Sequence, residues 1–108
     1  MSPQKIVDVL QGGLASTKVL DLRATKMLSG SFDPGFRVRL HIKDLRIALE
    51  LARESGVVLP LTAEIEQMLQ ALRAAGREDY DHSGLITFLE DLARFRVADA
   101  TEERAGLE

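Results

Sequence analysis

The stretch VRLHIKDLRIALELARES, residues 38–55, decides the fold class of this chain of 108 residues. Apolar side chains recur in it at spacings of three and four, which is the period of an α-helix and not of a strand. We therefore predict one long helix from about Val38 to Ser55, ended by Gly56, because glycine suits the left-handed position after a helix. One apolar stripe of this helix consists of Val38, Ile42, Leu45, Leu49 and Ala52.

A second apolar stripe follows the opposite side of the same predicted helix and consists of Leu40, Ile47 and Leu51. A helix that is apolar on two sides is usually packed between neighbours, so we expect both stripes to be covered. Asp44 projects from the middle of the second stripe, and an ionised carboxylate buried there needs a partner. A salt bridge to another helix or a helix cap is the ordinary explanation of Asp44, and a direct role in a binding site is the alternative.

The charges along this helix run against its dipole. The macrodipole favours acidic side chains near the start by a few tenths of a kcal/mol each, yet Glu50 and Glu54 lie near the end. Cations at a helix start would suit a phosphate or carboxylate ligand. A solvated charged face, with Arg46 and Glu50 paired one turn apart, is the alternative. The cations of the first half are Arg37, Arg39, His41, Lys43 and Arg46.

The rest of the chain also has helical periodicity, and no segment alternates as a strand does. We predict an all-α, multi-helix domain of about five helices. The other predicted helices run from Pro3 to Gln11, from Ser16 or Thr17 to Gly30, from Thr62 to Gly76, and onward from a cap at Asp81 or Ser83. Their predicted buried residues include Ile6, Val7, Leu10, Ile65, Met68, Leu69, Leu72, Leu85, Phe88, Leu89 and Leu92.

The composition excludes several classes of function. The length suits one hydrophobic core, and the net charge of −3 gives no general attraction to nucleic acid or to an anionic membrane. There is no cysteine, no apolar run of about 20 residues and no secretory signal. His41 and His82 are isolated in sequence, so we predict no metal site. DNA binding through the cations between Arg37 and Arg46 is a further alternative, which the acidic net charge disfavours.

The two ends favour a domain taken from a longer protein, and a naturally short protein is the alternative. Ser2 and Pro3 form a helix start at the first residues of the chain. The final Leu107-Glu108 is similar to a cloning remnant. We therefore expect one helical domain over residues 1–98 and a polar tail over residues 99–108.

Four short motifs, in a fixed order, carry a resemblance to a known family. They are GGLAST at residues 12–17, FDPGF at 32–36, HIKDL at 41–45 and DHS at 81–83. Over about residues 2–95 the chain resembles the helical C-terminal domain of β-hydroxyacid dehydrogenases, a domain of the 6-phosphogluconate dehydrogenase-like type. Within that family, tartronate semialdehyde reductases show the greatest similarity. The 3-hydroxyisobutyrate dehydrogenases and the glyoxylate or succinic semialdehyde reductases share the pattern less closely.

The resemblance implies part of a cytoplasmic, homo-oligomeric (dimeric or tetrameric) reductase that interconverts tartronate semialdehyde (2-hydroxy-3-oxopropionate) and glycerate. It implies a preceding Rossmann domain that binds most of the NAD or NADP, and a catalytic lysine on an interdomain helix outside this chain. It assigns Lys43 to cofactor binding and Phe36 and Asp44 to the substrate pocket, with no catalytic residue in this chain. We therefore expect the chain alone to be inactive. The alternative is an independent helical interaction module.

Overall fold

The structure is a computed structural model, and it describes residues 2–100. Helices account for nearly all of its regular structure, and within this range the only β pairing is an isolated bridge between Arg37 and Asp81. The prediction of an all-α domain is confirmed. The elements are α1 Pro3–Gln11, α2 Lys18–Ser29, α3 Val38–Ser55, α4 Pro60–Ala74, a 3-10 helix His82–Leu85 and α5 Ile86–Ala93.

Local capping signals fix most of the helix boundaries. Thr17 Oγ1 accepts a hydrogen bond from the backbone N–H of Leu20 at 3.0 Å, so α2 begins where the sequence places it. The bounds of α3 are the predicted ones. Gly30 and Gly56 follow α2 and α3, each with a φ of 72°, a conformation that costs glycine little and other residues more.

The predicted start of α4 is wrong. We expected this helix to begin at Thr62, but α4 already begins at Pro60, with Leu59 before it. Proline is tolerated there because the first turn of a helix does not need its backbone N–H groups for internal hydrogen bonds. The helix ends at Ala74, two residues before the predicted Gly76.

The core lies between α3 and α4. Val38 and Ile42 from α3 and Leu69 and Leu72 from α4 are buried together. The first apolar stripe of α3 therefore faces the core, as predicted. Half-buried side chains from α3, α4, the 3-10 helix and α5 close the core, namely Leu45, Ile65, Leu85 and Phe88.

The second stripe of α3 lies on the surface, contrary to expectation. Leu40, Ile47 and Leu51 are 42%, 55% and 62% exposed, because no part of residues 2–100 packs over this side of the helix. Other side chains predicted to be buried are also exposed, namely Ile6, Leu10, Leu89 and Leu92. The described part of the chain thus presents apolar surface that residues 2–100 do not cover.

The described part is elongated, with principal extents of 54, 33 and 24 Å. Its radius of gyration of 15.5 Å exceeds the value of about 13 Å typical of a compact domain of this length. None of its helices has the length and apolar character needed to cross a membrane. The predicted cloning remnant and most of the predicted tail fall in residues 101–108, outside the described residues.

Candidate functional site

Two loops meet beside the start of α3. The backbone N–H of Asp81 donates to the carbonyl of Phe32 at 2.9 Å, and that of His82 donates to the carbonyl of Phe36 at 2.7 Å. The rings of Phe32 and Tyr80 stack with their centroids 5.6 Å apart. These contacts attach the loop that precedes α3 to the segment that follows α4, and they fix the position of Phe36.

The Asp81 side chain ties these two loops together. It is fully buried, and its Oδ1 accepts from the backbone N–H groups of Gly35 and Phe36 at 2.9 and 3.0 Å. Its Oδ2 accepts from Ser83, both from the backbone N–H at 3.0 Å and from the hydroxyl. Arg23 Nε from α2 lies 3.7 Å from the same oxygen. One carboxylate thus joins three parts of the chain.

The environment of Asp81 keeps it ionised. Burial by itself raises the pKa of this carboxyl group, but the hydrogen bond from the Ser83 hydroxyl acts in the opposite direction. The hydrogen bonds from the backbone N–H groups of Phe36, Ser83 and Gly35 also lower the pKa. Together these four hydrogen bonds hold the pKa of Asp81 well below its ordinary value. The predicted role of Asp81 as a helix cap is confirmed, because it caps the 3-10 helix.

A cluster of one phenyl and two imidazole rings adjoins this carboxylate. Phe36 packs edge-on against His41 and His82, with centroid distances of 5.8 and 5.9 Å, and the two imidazoles are 5.5 Å apart. Arg23 Nε–H donates to His82 Nε2 at 2.8 Å. All four side chains are half-buried. Within residues 2–100, no three His, Asp or Glu side chains are grouped so as to hold a metal ion.

The His82 imidazole is held neutral. Burial lowers its pKa below the ordinary 6.5, and the charges of Arg23 and His41 lower it further, against an opposing effect of Asp81. The hydrogen bond from Arg23 also needs a neutral imidazole, because Nε2 can accept a hydrogen bond only while it carries no proton.

The first backbone N–H groups of α3 are not free for a ligand. Those of Val38 and Arg39 donate to the carbonyls of Tyr80 and Glu78, each at 2.9 Å. An anion at this end of the helix would therefore have to be bound by side chains alone. Carbonyl groups brought in from the distant loop after α4 satisfy the donors instead.

The same loop neutralises two of the five cations in or just before the first half of α3, Arg37 and Arg39. Arg39 lies 2.6 Å from Asp79 and 3.6 Å from Glu78, while Arg37 lies 3.4 Å from Asp79. Arg73 at the end of α4 lies 3.2 Å from Glu78. The acidic neighbours thus account for Arg37 and Arg39, the first two cations of the reversed charge order.

Lys43 lies in an open groove of about 540 Å³ between α3 and α4. Among residues 2–100 the side chains of Lys43 and Arg46 form no hydrogen bond or ion pair, and the Arg46–Glu50 pair expected on a solvated face is absent. Two unpaired cations therefore face one groove. Its charged lining residues are Arg39, Lys43, Arg46, Glu50, Arg73 and Glu78.

Asp44 is exposed and has no partner among the described residues. The prediction of a salt bridge or cap for Asp44 is wrong, because the stripe between Leu40 and Ile47 is open to water, which hydrates the carboxylate. Successive residues of a helix point about 100° apart, so Asp44 does not face the Lys43 groove directly.

The three residues that the family resemblance selected lie on or just before the first half of α3, and their side chains are not linked to one another. No hydrogen bond, ion pair or ring contact within residues 2–100 joins Phe36, Lys43 and Asp44. The contacts of Arg23 with Asp81 and His82 were not predicted. The only sequence signal was the Asp-His-Ser motif, which shows a cap but not the residues it reaches.

Comparisons with known proteins agree on one group of enzymes. A family model described as "NAD-binding of NADP-dependent 3-hydroxyisobutyrate dehydrogenase" matches residues 1–89. The 2-hydroxy-3-oxopropionate reductase of Escherichia coli is 35% identical over 96 residues, which are 89% of this chain and 33% of the relative. A probable mitochondrial 3-hydroxyisobutyrate dehydrogenase-like protein of Arabidopsis thaliana is 35% identical over 94 residues, 87% of this chain and 28% of the relative. The chain thus spans about a third of the length of these relatives.

Proposed function

The chain belongs to the 3-hydroxyisobutyrate dehydrogenase family of NAD(P)-dependent oxidoreductases, and on that basis we propose that it is the helical C-terminal part of such an enzyme. Two observations support a helical part that is separate from the dinucleotide-binding sheet. Residues 2–100 contain no parallel sheet of the kind that binds dinucleotides, and the chain covers only about a third of its relatives. In this proposal a Rossmann domain elsewhere in the enzyme binds most of the cofactor, and this chain forms the facing wall of the cleft.

The groove of Lys43 is the observation that carries the proposal. A dinucleotide is an anion, and unpaired cations beside an open groove match its charge, which fits the "NAD-binding" description of the matched family. Lys43 contacts the cofactor from this wall, and Arg46 adds positive potential beside it.

Phe36 and Asp44 border the substrate in this proposal. Phe36 offers an apolar ring whose position Asp81 and His82 fix, and Asp44 offers a hydrogen-bond acceptor on the uncovered side of α3. The exposed stripe around Asp44 becomes buried when the rest of the enzyme packs on it. A bound nicotinamide cofactor supplies the hydride, so the role of this chain is to position the reactants and exclude water. The proton donor lies outside the chain.

The substrate proposed is tartronate semialdehyde, reduced to glycerate. Similarity to the E. coli reductase supports this choice. Assays of the whole enzyme in the reducing direction test it, with tartronate semialdehyde, succinic semialdehyde, glyoxylate and the semialdehyde that corresponds to 3-hydroxyisobutyrate. The highest kcat/KM is expected for tartronate semialdehyde, and a higher value for another of these acids would assign the chain to that branch of the family.

The role of Lys43 is tested by steady-state kinetics of the whole enzyme. We expect Lys43→Ala to raise the KM for NAD(P)H about tenfold, which corresponds to about 1.4 kcal/mol of binding free energy. Arg53→Ala is the matched control, because Arg53 is an exposed cation on α3 outside this groove and without a partner among the described residues. Equal effects of the two substitutions, or none of Lys43→Ala, would contradict the assignment.

The chain of 108 residues by itself is expected to bind NAD(P)H weakly and to reduce no semialdehyde. Measurable turnover by the purified chain would show that it holds a complete active site. An independent interaction module, the alternative function, would show no response of the Lys43 amide signal to millimolar NADPH in an NMR titration.

A further inference from the structure

Phe36 is held at both its backbone and its ring. The Asp81 carboxylate accepts from its N–H, and the His82 N–H donates to its carbonyl at 2.7 Å. His41 and His82 pack against its ring from two directions. His82 is the residue that takes part in both kinds of contact, so its own position determines that of Phe36.

We propose that His82 is a positioning residue for Phe36 in the substrate pocket, and that it acts only while its imidazole is neutral. This inference rests on the proposed function, which places Phe36 beside the substrate. It adds that substrate binding, but not cofactor binding, weakens as His82 gains a proton.

The contact with Arg23 is what makes His82 sensitive to protonation. Arg23 Nε–H donates to His82 Nε2 at 2.8 Å. A guanidinium group has only donors and keeps its proton at any ordinary pH. A protonated imidazole would therefore face Arg23 with two N–H groups in opposition and two positive charges in contact, so the two side chains must separate.

The groups that face His82 from the surrounding elements offer no compensation for this lost contact. Arg23 on α2 and His41 on α3 both disfavour a positive charge on His82, while Asp81, its neighbour in sequence, favours one. Asp81 cannot turn towards an imidazolium group without leaving Gly35, Phe36 and Ser83, to which its oxygens are hydrogen-bonded. The repulsion between Arg23 and a protonated His82 is therefore removed only if the His82 ring moves, and Phe36 packs against that ring.

An NMR titration of the chain of 108 residues tests the coupling without any enzyme assay. The ring signals of Phe36 and the amide signals of Gly35 and Phe36 are expected to shift with the same midpoint as the imidazole signals of His82. Replacing Arg23 by Met removes the neighbouring cation, so the His82 midpoint and the Phe36 response should both move to higher pH. Phe36 signals that do not change, or that follow His41 instead, would overturn the proposal.

Kinetics of the whole enzyme test the consequence for binding. Between pH 7.5 and 5.5 we expect the KM for the semialdehyde to rise about fivefold more in the wild type than in His82→Gln, an effect of the size of one lost hydrogen bond. Gln can still accept from Arg23 but does not titrate. The matched variant His41→Gln also alters a ring beside Phe36. It should keep a pH-dependent KM, with the midpoint moved to higher pH because His41 no longer disfavours a positive charge on His82. Equal pH profiles for the wild type and His82→Gln would overturn the proposal.

A third variant separates this inference from the proposed function. Phe36→Ala should raise the KM for the semialdehyde at pH 7.5. If it does not, Phe36 is not in the pocket and the proposed function is wrong on that point, whatever the NMR titration shows. If it does, while His82→Gln leaves the pH profile unchanged, only the role of His82 is wrong.

Discussion

Asp81 has the largest share of the contacts that shape the site. Its buried carboxylate accepts hydrogen bonds from three residues of two segments and lies near Arg23. Removing it leaves the two buried donors of Ser83 and the partly buried N–H groups of Gly35 and Phe36 without an acceptor. Each buried donor left unsatisfied costs about 1–3 kcal/mol. Asp81 is therefore a structural residue on which the position of Phe36 depends.

Replacement of Asp81 should destabilise the fold severely. We expect Asp81→Ala to lower the free energy of unfolding by about 3 kcal/mol or more, measured by urea denaturation followed by circular dichroism. Asp79→Ala is the matched control, since Asp79 is exposed and pairs only with surface arginines, and it should cost under about 1 kcal/mol. Similar losses in the two variants would contradict the role assigned to Asp81.

Because the pKa of Asp81 is lowered in the folded state, acid should reduce the stability of the fold. The folded state binds a proton at this site less readily than the unfolded chain does, so the stabilisation is complete above the ordinary value of 3.8. It is lost as the pH falls below that value. Stability measured from pH 5 to pH 2 should decline less steeply in Asp81→Asn than in the wild type, and parallel curves would contradict the prediction.

At the scale of the element, α3 has two apolar faces with different roles. Ile42 is buried against α4 and Ile47 is more than half exposed, although both are isoleucines of the same helix. Ile42→Ala should cost about 2–5 kcal/mol of stability, and Ile47→Ala less than about 0.5 kcal/mol. Thermal and urea unfolding of the isolated chain measure both, and equal costs would show that the second stripe is covered after all.

The sequence was sufficient to predict the bounds of α1 and α3 and the buried stripe of α3, because caps, glycines and periodicity act locally. It was insufficient where distant parts of the chain meet. The N–H groups of α3 are satisfied by carbonyls some 40 residues away in sequence, those of Glu78 and Tyr80, and no local pattern indicates that. The burial of Asp44 was misjudged because amphipathicity shows that a face is apolar but not what covers it.

The molecule as a whole is elongated and leaves apolar side chains uncovered. Our proposal explains both features in the same way. The surface that the rest of the enzyme covers is left open in the chain alone. Exposed large apolar groups favour association in water. The homo-oligomer expected from the family resemblance remains a prediction.

We expect the chain of 108 residues to self-associate, through the exposed stripe of α3 among other surfaces. Sedimentation velocity at increasing concentration should show species larger than the monomer, and Leu51→Lys should weaken that association. Ala71→Lys, on an exposed position of α4, is the control and should leave association unchanged. A purely monomeric wild-type chain at high concentration would contradict the prediction.

In our proposal this helical chain forms one wall of a cofactor cleft, and the groove of Lys43 is the part that contacts the cofactor. The most direct measurement is an experimental structure of the whole enzyme with NAD(P)H bound. We expect Lys43 Nζ to lie within hydrogen-bonding distance, about 3 Å, of the cofactor. We also expect the dinucleotide-binding domain to cover the exposed stripe of α3. A structure in which Lys43 faces bulk solvent and the cofactor lies away from α3 would contradict the proposal.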